Sequence, residues 1–175
     1  PKAKAVIHLF MNGGPSQMDL FDPKPELTRN HGKSYFSKIA GEVENPQSAG
    51  ALLRSPFEFA QHGQSGMWVS EAMPYFAQCV DEVVMIRSMF TTSITHEPAL
   101  FNVQSGRLFP GHPTLGAWVS YGLGSENANL PSFVALTSNG RAKTGQPLYD
   151  RLWGAGFLPG RFQGVKFRGQ GNPIL

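Results

Sequence analysis

The chain is patterned as short apolar runs, each stopped by Gly, Pro, Ser or Asn. Ala5-Val6-Ile7-His8-Leu9-Phe10-Met11 is β-rich and nearly continuous, the pattern of a strand buried on both faces. Val83-Val84-Met85-Ile86 repeats it and predicts a strand over 83–89. Pro131-Ser132-Phe133-Val134-Ala135-Leu136 predicts a third strand and Gly164-Val165-Lys166-Phe167 a weaker fourth. Helical patterns lie between them. Residues 70–80 read as a helix with Ser70 as N-cap and Pro74 in the first turn. Thr95 N-caps a second helix, which tolerates Pro98 in its first turn and stops at Gly106. Thr114 caps a third over 113–122, with Leu115, Trp118, Val119 and Gly122 as its apolar face. Pro147 to Trp153 predicts a short helix. Strands alternating with helices imply parallel pairing and an α/β fold. The stretch 22–64 lacks this rhythm and reads as a long irregular excursion, the kind that often serves as a lid or binding loop.

Composition narrows the class. With 175 residues and 41% hydrophobic, the chain is long and apolar enough for one domain with a core. It holds no apolar run of transmembrane length, so no membrane span is expected. The single Cys79 excludes an internal disulfide and a Cys-based zinc site, and reads as a buried, inert thiol. Residues 1–130 carry 9 Lys/Arg against 11 Asp/Glu, and residues 131–175 carry 6 against 1. The late basic groups, Arg141, Lys143, Arg151, Arg161, Lys166 and Arg168, make either an anion-attracting surface or a solvated face. They are spread out without interleaved stacking aromatics, so no nucleic-acid partner is expected. The chain opens at Pro1 and closes at Gly171-Asn172-Pro173-Ile174-Leu175, entering what reads as a strand. We therefore expect a fragment, or a processed chain whose targeting segment has been lost.

Candidate chemistry sits after the first two strands. In open α/β sheets, ligands bind beyond the carboxyl ends of strands. The first turn is Asn12-Gly13-Gly14-Pro15-Ser16, followed by Asp19 and Asp22. Two glycines let the backbone approach a ligand closely, although the same residues also suit an ordinary turn. The second turn presents Thr95, His96 and Glu97. His96 reads as a metal ligand, a nucleophile or a general base. Thr95 reads as a nucleophile or a cap, and Glu97 as a ligand or a first-turn carboxylate. His112, Arg87 and Arg107 are candidates for holding an anionic group. His8 reads as a satisfied core group, and His31 and His62 as exposed.

Met11-Asn12-Gly13-Gly14-Pro15-Ser16, with Asp19 and Phe21-Asp22-Pro23-Lys24-Pro25, resembles the opening of the family called domain of unknown function 1501. Gly116-Ala117-Trp118-Val119-Ser120-Tyr121-Gly122-Leu123-Gly124, followed by Asn129-Leu130-Pro131-Ser132-Phe133-Val134, resembles it as well. The resemblance covers nearly the whole chain and implies the N-terminal part of a longer protein, truncated at its C-terminus. It implies a bacterial protein with a twin-arginine export signal, periplasmic or at the cell surface. It also implies the alkaline phosphatase and sulfatase superfamily, whose fold is a doubly wound, mostly parallel sheet with helices on both faces and metals at the strand ends. A divalent metal (zinc, calcium or manganese) would then be held by Asn12, Asp19 and His96 together with later residues. His96 and Thr95 would be catalytic, and Ser16, Gly13, Gly14, Arg107 and His112 would bind the anion or substrate.

The chain departs from the sulfatase pattern at two places. Aligned on Gly106-Arg107, His96 stands where a sulfatase carries its nucleophile, and Leu100 replaces the motif arginine. Asn12-Gly13 replaces a metal-binding aspartate pair. Two functions follow as expectations. The first is an exported, metal-dependent hydrolase of sulfate or phosphate esters, acting on a small-molecule or glycan ester, with this part alone inactive. The second is a non-catalytic exported scaffold or glycan-binding protein.

Overall fold

Gly63 and Gly66 both adopt left-handed backbone, at φ +66° and +62°, and between them the chain reverses. The reversal joins β1 (Phe59–His62) to β2 (Met67–Ser70) in an antiparallel hairpin, with Phe59 opposite Ser70 and His62 opposite Met67. A computed structural model describes residues 3–11, 14–34, 48–137 and 150–167, which fall into two compact units, Pro1–Phe90 and Thr91–Leu175.

In the first unit the hairpin packs on a 3₁₀ helix, Phe76–Glu82. Val69 and Val80 are the apolar residues buried between them. Two short helices precede the hairpin, α1 (Gln17–Leu20) and α2 (Pro25–Arg29), the latter with Pro25 at its first position. Phe21, just after α1, packs its ring on Phe76 at 5.0 Å. Within 22–64 the structure thus places α2, β1 and an isolated bridge between Ser34 and Ala51. The helix predicted over 70–80 begins later and winds tighter. Ser70 closes β2 and takes the Ala72 amide on its Oγ, and Cys79 kinks the 3₁₀ helix with φ −119° and ψ 19°. Cys79 is half-buried, its thiol donating to the Phe76 carbonyl at 3.3 Å.

In the second unit, α3 (His96–Ser105) and α4 (Leu115–Leu123) fall where Thr95, Gly106 and Thr114 predict. Gly106 takes the left-handed C-terminal position, φ +74°. α3 buries Leu100 and Phe101 and packs on a 3₁₀ turn, Asp150–Trp153. β3 (Val134–Leu136) and β4 (Val165–Phe167) pair in parallel, Val134 opposite Val165. A second 3₁₀ turn, Gly160–Phe162, packs on α4. The buried face of α4 is not the predicted one. It buries Ala117 and Ser120, while Leu115 and Trp118 stay 45% and 43% exposed. Small residues set this geometry. A Cβ on Gly116 would stand 2.5 Å from the Phe133 ring, so glycine lets the helix backbone meet that ring directly.

The doubly wound, alkaline phosphatase-like sheet expected from the sequence is not formed. The described residues make two sheets of two strands each, one antiparallel and one parallel. The runs expected as its first two strands, 5–11 and 83–89, join no ladder among the described residues. Their apolar side chains face solvent, Ile7 at 83% and Val84 at 90% exposure. His8, read as a core residue, is exposed and meets the Phe10 ring edge-on at 5.6 Å. An apolar run records a capacity for burial; whether it is met depends on the partners that reach it.

Candidate functional site

The expected metal and nucleophile residues divide between the two units. Asn12 and Gly13 lie outside the described residues. Gly14 has φ +70° and donates its amide to the Met11 carbonyl at 3.1 Å, closing the turn after the first apolar run. Ser16 occupies the N-cap position of α1 without a side-chain cap bond, and Asp19 is half-buried in that single turn. His96 and Glu97 belong to the second unit and are exposed at the start of α3. Among the described residues no three His, Cys, Asp or Glu side chains converge as a metal-binding group. The described residues therefore do not by themselves form a site for a divalent ion.

The turn before α3 is organised by Ser93 rather than by Thr95. The Ser93 Oγ accepts the Thr95 amide at 3.2 Å and also lies 3.0 Å from the Thr95 carbonyl and 3.2 Å from its Oγ1. Thr91 completes the turn, its Oγ1 accepting from the Asn102 side-chain amide at 3.1 Å and from the Ser93 amide at 3.4 Å. Thr95 stands at the N-cap position with extended backbone, but its hydroxyl makes no cap bond to the helix. Its hydroxyl instead faces Ser93, the local side-chain bonding that competes with capping in Ser/Thr-rich turns.

A second cluster surrounds an open cleft. Pro110, Gly111, His112, Arg151, Gly154 and Gly156 line a cleft of about 440 Å³. Its floor is pinned from below. Thr114 donates both its amide, at 3.2 Å, and its Oγ1, at 3.1 Å, to the Gly154 carbonyl. Pro113, Thr114, Leu152, Trp153 and Ala155 are buried, so their neighbours His112, Arg151 and Phe157 point outward. Gly156 has φ +56°, and a Cβ there would collide with the backbone of His112 and Pro113. Close approach of two backbones is what brings His112 and Arg151 to one rim. An imidazole and a guanidinium above glycine-rich backbone make a suitable seat for a tetrahedral oxyanion.

In the sequence His112 stands out as an anion-binding candidate, and Arg151 is one of the late basic groups. The signal that joins them is the pair Gly154 and Gly156 just after Arg151, where backbone is left free to meet the 110–114 loop. Arg107, the other proposed anion ligand, is exposed beyond α3 and does not line this cleft. Arg87 is exposed in the first unit. There a separate cleft of about 450 Å³ is lined by Glu58, His62, Glu71 and Gln78 among others, with His62 half-buried rather than exposed.

The chain belongs to the family described as protein of unknown function (DUF1501), whose model matches residues 3–175. No curated protein and no solved structure matches it. Among the described residues no helix is long and apolar enough to cross a membrane.

Proposed function

We propose that this chain is part of an exported protein that binds and hydrolyses sulfuric or phosphoric esters, with His112 and Arg151 receiving the ester's anionic group. One observation carries the reading: the two side chains share the rim of one glycine-walled cleft. The planar guanidinium of Arg151 offers paired N–H donors to two oxygens of a sulfate or phosphate, and His112 offers a further ring donor. Thr95 and His96 are the proposed nucleophile and general base. They lie at the start of α3, which packs on the same 3₁₀ turn that carries Arg151.

The test is equilibrium binding of inorganic sulfate and phosphate to the intact chain and to Arg151→Ala. Binding that weakens about tenfold or more in the variant supports the cleft, in line with loss of a charged hydrogen-bonded pair. No binding to the unaltered chain sinks it. Turnover of aryl sulfates or phosphates by the full-length protein, lost in Thr95→Ala or His96→Ala, supports the hydrolase. Binding without turnover moves the reading to a non-catalytic exported binder, which the replacements Leu100 and Asn12-Gly13 favour.

A further inference from the structure

The rim of the cleft continues beyond His112 as a row of rings. His112 meets Phe157 edge-to-face at 5.7 Å, and Phe157 meets Trp118 at 5.8 Å. Trp118 meets Tyr121 at 6.0 Å, and Tyr121 meets Phe162 at 5.3 Å. The Arg161 guanidinium lies 4.8 Å from the centre of the Phe162 ring. The row is open to solvent: Trp118, Tyr121 and Phe157 are 43%, 55% and 64% exposed. α4 thus buries Ala117 and Ser120 and turns Trp118 and Tyr121 outward, one turn apart on its surface. That reverses the usual orientation of an amphipathic helix, and a contiguous exposed aromatic surface marks an interaction site.

We propose that this row is a carbohydrate platform and that the ligand is an oligosaccharide bearing a sulfate or phosphate ester. Its sugar rings lie on the aromatic row, and its anionic group enters the cleft between His112 and Arg151. A pyranose presents C–H bonds on its faces and hydroxyls around its edge. The C–H face suits the electron-rich face of an aromatic ring, while the hydroxyls stay in water. Edge-to-face contacts break the row into separate small faces, which fit successive sugar units better than one flat apolar surface. Charge selects an anionic occupant. The cations placed at the row are Arg151, in the cleft at one end, and Arg161, against Phe162 at the other. A second copy of this chain would set the same positive charge against itself.

The proposal rests on the cleft reading above, and calorimetric titration of the intact chain separates the two. The probes are sulfated, phosphorylated and unsubstituted forms of one oligosaccharide, and inorganic sulfate. We expect one charged oligosaccharide to bind at least about tenfold tighter than inorganic sulfate, the gain coming from ring stacking. Trp118→Ala and Tyr121→Ala, each checked for native circular dichroism, are expected to lose that gain and leave inorganic sulfate binding unchanged. Charged oligosaccharides that bind no tighter than inorganic sulfate overturn the platform and leave the cleft standing, as do ring variants with unaltered affinity. An unsubstituted oligosaccharide that binds through Trp118 and Tyr121 as tightly as the charged forms, with no binding of inorganic sulfate, overturns the anionic ligand and sinks the cleft.

Discussion

The carboxylate of Asp81 clasps Ser65 across the hairpin tip, its Oδ1 accepting the Ser65 amide at 2.8 Å. The neighbouring Gln64 amide reaches Oδ2 at the same distance. The β1–β2 turn is therefore held by a side chain of the 3₁₀ helix that packs beneath it. These two backbone donors, Gln64 first, favour the charged form and hold the Asp81 carboxyl below its usual range.

A pH dependence follows. A depressed carboxyl pKa stabilises the fold at pH values above the carboxyl's unfolded pKa. That contribution is lost as the pH falls through the lowered, folded value. Amide hydrogen exchange at Gln64 and Ser65, followed by NMR on acidification, is expected to show the tip opening there while the α4 amides stay protected. Asp81→Asn is expected to open the tip at neutral pH and abolish the acid step. Unchanged protection at Gln64 and Ser65 in that variant would refute the clasp.

Gly156 is expected to be less replaceable than Gly106, although both have positive φ. Gly106→Ala meets open space and carries only the left-handed penalty, about 1–2 kcal/mol. Gly156→Ala adds a collision with the backbone of His112 and Pro113, which has no flexible side-chain end to move aside. Urea denaturation of the two variants should rank Gly156→Ala as clearly more destabilised, and only that variant should lose sulfate binding.

Trp153 is the largest side chain in the second unit's buried set. Its Cβ would stand 2.9 Å from a Cβ placed on Gly164, and the Lys166 ammonium lies 5.8 Å from its ring centre. Trp153→Ala is expected to cost about 3–5 kcal/mol, the range for removing a buried aromatic. A smaller loss in thermal or denaturant unfolding would mean that the site closes around the gap.

Ser93, not Thr95, should prove the more sensitive position in the turn before α3. Ser93→Ala removes the acceptor of the Thr95 amide and the donor facing its carbonyl, at an expected cost of about 1 kcal/mol. Thr95→Ala deletes a hydroxyl with no helix-cap bond and should cost less. Equal unfolding midpoints for the two variants would contradict this arrangement.

Sequence made part of this molecule legible. Thr95, Gly106 and Thr114 mark real helix limits because N-cap backbone and the left-handed stop are local preferences. Residues 134–136 and 165–167 pair in parallel, as their apolar runs suggest. The β1–β2 hairpin escaped notice because each strand has four residues and Phe59-Ala60-Gln61-His62 alternates poorly. Only Gly63 and Gly66 flag the turn. The orientation of α4 escaped because its packing depends on the smallness of Gly116, Ala117 and Ser120, which an apolar-stripe reading ignores. At the cleft, His112 and Arg151 are far apart in sequence, and only the fit of Gly156 against the 111–113 backbone joins them.

The run Ala5–Met11, which joins no strand among the described residues, also decides how the chain must be handled. It is β-rich and uncharged and contains no proline, which is the composition of a steric-zipper segment. Val6, Ile7 and Leu9 face solvent, so chains that meet can stack these segments before anything else engages. Ile7→Lys would place a gatekeeper charge in the middle of the run. Light scattering over a concentration series is expected to show the unaltered chain associating at lower concentration than that variant, with the hairpin and the cleft unaffected.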